Sequence, residues 1–509
     1  MLRFFVLAAL SFIAAAPSVA GWHKASSPHF VIYADQDPVA LRTFAEKLER
    51  FDKAVRVARS MKDPAVGDGN RLTVFVVQGA LDVRKLQRGT GGNALGFYMP
   101  RYWGSVAVVP RLLSNNYTIT PQTVFFHEYA HHLMFADMRT PIPTWLVEGF
   151  AEFMSTADIE SDGSVGLGAG AVHRASVLRA PSRSKVPLAA ILSGGPLRSG
   201  FERASLYARG WLLAHYLTFN PGRRGQIEAY LDAIASGQPQ LDAARSVFGD
   251  LDRLDGNLDT YLKVNKFPYL KLSPQDVKVG AIAVEPLGPG APAYMPLVMK
   301  VQTGVENGKK AGLAVDARRL AAAFPDDPLM AMTLAAAELY NDNFLLADAA
   351  ADRAIALNPQ AAEALMLKGR AIAGRARSGD KSVTFAAARG WFNRANRLDP
   401  EDPEPLVAFY RSFIEERTRP TANAVAALHY ASSLAPHDMG LRVSSARRHL
   451  EDKKPAEARR ALIPVAYNPH AGAIAEEARR MIALIDSGQV TAATIGQPRS
   501  PPSQGSTNR

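Results

Sequence analysis

The chain of 509 residues contains no cysteine. That absence excludes a disulfide scaffold, a thiol nucleophile, an iron–sulfur cluster and any zinc site with thiolate ligands. A metal, if there is one, must be held by His, Asp or Glu. Long hydrophobic runs are also scarce. The run Phe4–Ala16 is shorter than the ~20 residues needed to span a bilayer, and no uninterrupted run of that length follows it. Dense Lys/Arg runs and aromatic-interleaved basic motifs are missing, so the formal charge of +11 does not read as a nucleic-acid surface. Acid is missing over one stretch, Gly163–Gly200, which carries Arg174, Arg179, Arg183, Lys185 and Arg198. A solvated basic loop is the simpler expectation there, and an anionic-substrate patch the other.

What is present is ordinary for a folded protein of several domains: 47% hydrophobic and 21% charged residues. Met1–Ala20 has one Arg, a short apolar run and the small-residue ending Ser18-Val19-Ala20. This layout predicts a secretory signal peptide cut after Ala20. The mature chain is then expected to be secreted or periplasmic, with no stable membrane insertion.

Residues 21–270 alternate strand and helix signals before turning helical. Strands are expected at His29–Ala34, Leu72–Val77 and Ser105–Val109, and a helix at Pro38–Ser60. The run Gly89–Gly92 lacks the context of a phosphate-binding loop and reads as a turn. Residues 271–310 are rich in Pro and Gly and read as a connector. Two strands, Val277–Val284 and Pro296–Gln302, are expected in it, as in a β-hairpin. From 311 to 486 the chain becomes Ala-rich and helical. Pro325, Pro359, Pro400, Pro436 and Pro469 follow one another at spacings of 34, 41, 36 and 33 residues. Small residues recur before the prolines: Ala335, Ala347 and Ala354 before Pro359, and Gly369, Ala388 and Ala395 at the same offsets before Pro400 if seven residues are inserted around Arg375–Lys381. A period near 34 with this pattern resembles tetratricopeptide repeats, which implies an all-α solenoid able to bind a protein partner. The tail 487–509 is polar and expected to be disordered.

The chemistry concentrates in residues 127–132, HEYAHH. On a helix His127 and His131 stand at i and i+4, so both imidazoles project from one face at a spacing that suits two nitrogens on one metal. Glu128 sits where its carboxylate reaches a water rather than the metal. Pro141 and Pro143 then turn the chain, and WLVEGFAEF (145–153) starts a second helix expected to be capped by Thr144. Glu148, 17 residues beyond His131, can supply a third ligand. Glu152, one turn further on, suits a carboxylate that hydrogen-bonds a liganding imidazole. Gly149 should let the two helices approach closely. His132 points about 100° away from the pair, and Phe126 and Tyr129 read as core.

At HEYAHH and WLVEGFAEF the chain resembles the gluzincin metallopeptidases, the thermolysin-like zincins, and especially their bacterial peptidase-MA-like branch. The resemblance implies an α+β zincin-type catalytic domain over 21–270. It implies one Zn2+ per chain held by His127, His131 and Glu148, with Glu128 as catalytic base. It also implies a cleft-edge strand that pairs with substrate, here Ser105–Val109, and a Tyr or His that stabilises the oxyanion. Tyr207 is favoured for that role, with His215 the other choice. The function so implied is hydrolysis of peptide bonds in a peptide or protein substrate. A non-catalytic scaffold, with function carried by the repeats, is the alternative, and a hydrolase of non-peptide bonds a third.

Overall fold

The computed structural model describes residues 21–87, 95–112, 119–181, 185–195, 199–264 and 266–490. The expected signal segment 1–20, the Gly89–Gly92 run and almost all of the tail lie outside the described residues. Among the described residues no helix is long and apolar enough to cross a membrane.

The protein is mixed α+β, a small sheet followed by many helices. Nine strands occur among the described residues: β1 Trp22–Ser26, β2 Phe30–Asp35, β3 Leu72–Val77, β4 Phe97–Met99, β5 Val106–Pro110, β6 Asp158–Ile159, β7 Val165–Leu167, β8 Leu270–Leu272 and β9 Ala283–Pro286. The main sheet has the order β4-β5-β3-β2-β1-β9. β2, β3 and β5 run parallel, with Ile32 beside Val74 and Val74 beside Ala107. β4, β1 and β9 are antiparallel to their neighbours. Helices α1 (Pro38–Ala58), α2 (Ala80–Leu86), α3 (Pro121–Asp137) and α4 (Thr144–Ser155) belong to the same part of the chain. Asp37 caps α1 by accepting from the amides of Val39 and Ala40.

Alternation along the strands covers both faces of the sheet. Leu72, Val74, Val76, Ala107 and Val109 pack with Leu48 and Phe51 of α1 and Phe125 and Phe126 of α3. Phe75, Val77, Val106 and Val108 face the other way, onto Tyr294, Met295 and Val298 and onward to Leu313, Ala317 and Met330. Residues 271–310 are therefore part of a core rather than a loose connector. The expected hairpin is absent: β9 completes the main sheet beside β1, and Pro296–Gln302 lies inside helix Ala291–Thr303. An aliphatic run of this length fits a buried helix as well as a strand, and the helix tolerates Pro296 inside it at the loss of one backbone hydrogen bond.

Two further expectations change. Ser105–Val109 is not an edge: β5 is flanked by β3 and β4, and the short antiparallel β4 lies at the end of the sheet. Thr144 is the first helical residue of α4 rather than its cap, a place taken by Pro143. Gly149 does serve close packing, but against helix Gly200–Phe219: a Cβ on it would lie 2.5 Å from the carbonyl carbon of Gly210, and one on Gly210 would lie 2.6 Å from the Trp145 carbonyl oxygen.

From Lys310 to Asp486 successive helices pack on their sequence neighbours. Ala335, Ala347, Ala354, Ala388 and Ala395 are all buried between them. The proline-marked turns of this array touch the first half of the chain. Asp399 accepts from the Gly69 amide at 2.9 Å, and Asp438 from the Tyr102 amide at 3.0 Å. Met439 and Tyr467 pack with Phe135, Met138 and Val147 at the ends of α3 and α4.

Because the α4 crossing leaves no room for a methyl group, Gly149→Ala is expected to destabilise the protein by about 1–3 kcal/mol, read as a lower thermal midpoint. An unchanged midpoint would contradict the close crossing.

Candidate metal centre

Thr120 caps α3, its hydroxyl accepting from the Thr123 amide at 3.1 Å, and Pro121 begins the helix. Phe125, Phe126 and Tyr129 anchor one side: Phe126 stacks on Phe51 at 3.8 Å, and the Tyr129 hydroxyl donates to Asp52 at 2.8 Å. His127 and His131 are thereby turned toward α4, with their Nε2 atoms 3.2 Å apart. Glu148 Oε2 lies 3.5 Å from His127 Nε2 and 3.4 Å from His131 Nε2. Among the described residues these three side chains form a group whose ligand atoms lie within 4.8 Å of one another.

The triangle has the size a zinc ion requires. Tetrahedral bonds of ~2.0–2.1 Å separate neighbouring ligand atoms by roughly 3.3 Å. Two facing imidazole nitrogens and a carboxylate oxygen with no hydrogen-bond partner of its own, Glu148 Oε2, are a donor set for a cation. The residues present fit the metal.

Electrostatics sharpen the arrangement. Burial favours the uncharged forms, but the imidazoles of His127, His131 and His470 hold the Glu148 carboxyl well below its ordinary range. Burial would lower His127, yet Glu148 and Glu152 outweigh it and raise the ring to about 10. His131 is shifted down, burial being the largest cause. Glu152 Oε1 faces His127 Nδ1 at 3.2 Å; in the neutral ring that a metal would require, this places the proton on Nδ1 and the lone pair of Nε2 toward the triangle. Glu152 is itself held by His173 Nε2 at 2.8 Å and by Arg174, whose Nε donates at 3.0 Å and whose Nη2 also pairs with it.

Glu128 is half-buried, and its charge acts on His127, His131 and Tyr207. The Tyr207 ring stacks on His127 at 5.8 Å, with the Arg174 guanidinium 5.1 Å from its centroid. Burial and the charges of Glu148 and Glu128 raise the Tyr207 hydroxyl, so it keeps its proton and can donate. His215 is elsewhere. It is buried, with Nε2 2.9 Å from the Gly168 carbonyl oxygen and Nδ1 3.0 Å from the Tyr261 hydroxyl. Of the two oxyanion choices, only Tyr207 stands at the metal triangle.

His132 does point away, with Nδ1 2.6 Å from the Tyr98 hydroxyl and its ring 4.6 Å from that of His437. The basic stretch is partly used up within the fold. Arg174 is paired with Glu152, and Lys185 with Asp255 at 3.0 Å and Asp259 at 2.7 Å. A second group, His29, Asp52 and Asp63, contains its own cations: Arg56 donates to Asp52 at 2.7 Å and Lys53 to Asp63 at 2.7 Å. It reads as an internal ion network.

Sequence reasoning missed His173, Arg174 as a partner of Glu152, Tyr98 and His470. The last is brought from the far end of the helical array, with Nε2 2.9 Å from Glu148 Oε1. Nothing in local spacing marks any of them. Compared with known proteins, the chain matches no family model, and no curated protein matches it.

Glu152 holds His127 through a contact that alters no ligand. Glu152→Gln is expected to weaken zinc binding about 10–100-fold, measured by competition with a chelator. Parent-like affinity would remove Glu152 from the site.

Proposed function

We propose that this chain is an exported zinc metallopeptidase of the gluzincin, peptidase-MA-like type, with a tetratricopeptide-like helical array joined to its catalytic half. The observation that carries the reading is the donor triangle of His127, His131 and Glu148, with separations of 3.2, 3.5 and 3.4 Å and a buried Glu148 Oε2 that makes no hydrogen bond within geometric limits among the described residues. When bound, zinc supplies Lewis acidity, which activates a water and polarises a carbonyl.

The chain's own residues supply the rest. Glu128 takes a proton from the attacking water and returns it to the leaving amine, so that one C–O bond forms while the C–N bond breaks. Tyr207, which keeps its proton, donates to the oxygen that becomes negative during attack. Arg174 and Glu152 brace this pair from behind: the guanidinium packs on the Tyr207 ring, and the carboxylate faces His127. The strand at the sheet end is β4 rather than β5, so β4 takes the role of pairing with an extended peptide. Its Tyr98 contacts His132, next in sequence to the metal-facing His131, which ties the strand to the site helix.

Purified protein is expected to hold one zinc per chain. Glu128→Gln should retain it and lose about 10²–10⁴ in hydrolysis of a peptide library. Tyr207→Phe should also retain it and lower kcat by about 10²–10³. A parent protein without zinc, or Glu128→Gln with parental turnover, would overturn the proposal.

A further inference from the structure

Outside the triangle, one side chain reaches the proposed ligands from a distant part of the sequence. His470 follows the turn Asn468-Pro469 between helices Pro455–Ala466 and Gly472–Asp486. Its backbone amide donates to Asn468 Oδ1 at 2.8 Å, which orients the residue at the turn. The turn is anchored on the site helices themselves. Tyr467 packs with Phe135 and Val147, and Arg442 Nη2 donates to the Phe135 carbonyl at 3.1 Å. Phe135 is one helical turn beyond His131, and Val147 precedes Glu148. The His470 ring meets that of His131 at 5.1 Å, and its Nε2 donates to Glu148 Oε1.

The two oxygens of Glu148 thus have different partners. Oε2 faces the two metal-facing imidazoles, and Oε1 faces His470. A carboxylate that ligates zinc through one oxygen leaves the other with acceptor capacity, and inside a protein that capacity needs a donor. Glu148 is 1% exposed, so bulk water does not readily supply one. His470 does, and it stands at the rim, its side chain 50% exposed.

We propose that His470 is a positioning residue of the metal site: carried in by the helical array, it holds Oε1 of Glu148 so that Oε2 is presented to the metal. The array is then part of the site and no detachable recruitment module. The inference rests on the metallopeptidase reading above.

The test uses the full-length chain, with zinc and cobalt(II) as probes. In His470→Ala the zinc dissociation constant should rise about 10–100-fold, and the visible absorption of the cobalt-loaded protein should change, because the carboxylate re-orients. His470→Gln keeps an N–H near the position of Nε2 and should return both to within a few-fold of the parent. The metal-free His470→Gln should keep the parent's thermal midpoint, whereas metal-free His470→Ala, which leaves Glu148 Oε1 without its donor, should melt somewhat lower while still folding. His470→Ala with parental affinity and spectrum overturns the inference, and so does His470→Gln as impaired as alanine. A parent that binds no zinc sinks the metallopeptidase reading itself. A parent that binds zinc beside an equally competent His470→Ala sinks only the role of His470.

Discussion

A carboxylate buried to 1% exposure governs the centre of this molecule. Removing an ionised group from water costs several kcal/mol unless charges and hydrogen bonds replace the hydration. Around Glu148 the replacement comes from three imidazoles, His127, His131 and His470. They arrive on two separate constraints. The first two share a face of α3 held down by Phe126 and Tyr129. The third depends on a turn far along the chain. Glu148 itself is placed by the crossing of α4 with helix Gly200–Phe219, where Gly149 and Gly210 leave room only for backbone. The same crossing brings Tyr207 to His127, so the packing of two helices decides where three functional groups meet.

The helical array docks through its turns. Asp399, Asp438 and His470 each lie between successive helices of the array, and each reaches a different element of the first half: the Gly69 amide, the Tyr102 amide and Glu148. Gly67 and Gly69 permit the first contact, since a Cβ on either would lie within 2.4 Å of an Asp399 or Asp402 carboxylate oxygen. His437 belongs to the same surface, its Nε2 3.1 Å from the Ser105 hydroxyl and its ring over His132. Turns that a repeat sequence marks only as punctuation are here the contact surface.

Much of this is legible in the sequence where the signal is local. The i, i+4 spacing of His127 and His131 determines that their nitrogens can converge, and the one-turn spacing of Glu148 and Glu152 puts both on the face of α4 that looks at them. Strand β3 occupies the expected Leu72–Val77, a short run rich in β-branched and aromatic residues and buried at nearly every position. What is not legible is long-range. His173 and Arg174 lie in a short irregular stretch whose only sequence mark is the lack of acid. His470 carries no mark, since its role exists only once the array has folded back. Pro296–Gln302 misleads for another reason: aliphatic residues in a short run specify burial and leave the backbone period undecided. The sheet end escapes too, because β4 has three residues and pairing order is a property of the whole sheet.

On the proposed reading, a carboxylate shared between two halves of the chain makes metal binding and docking one equilibrium. If His470 contributes a factor of ten to metal affinity, about 1.4 kcal/mol, then bound metal must return the same ~1.4 kcal/mol to the docked position of the Asn468–His470 turn, because coupling between two binding events is reciprocal. The remaining anchors, Tyr467 against Phe135 and Val147 and Arg442 on the Phe135 carbonyl, do not involve the metal and keep the turn close in either state. The array is therefore held by one set of contacts and read by another. With no cysteine in the chain, only His and carboxylate are left to hold a metal. A histidine from the array can address a glutamate ligand by hydrogen bonding while leaving the ligand set unchanged.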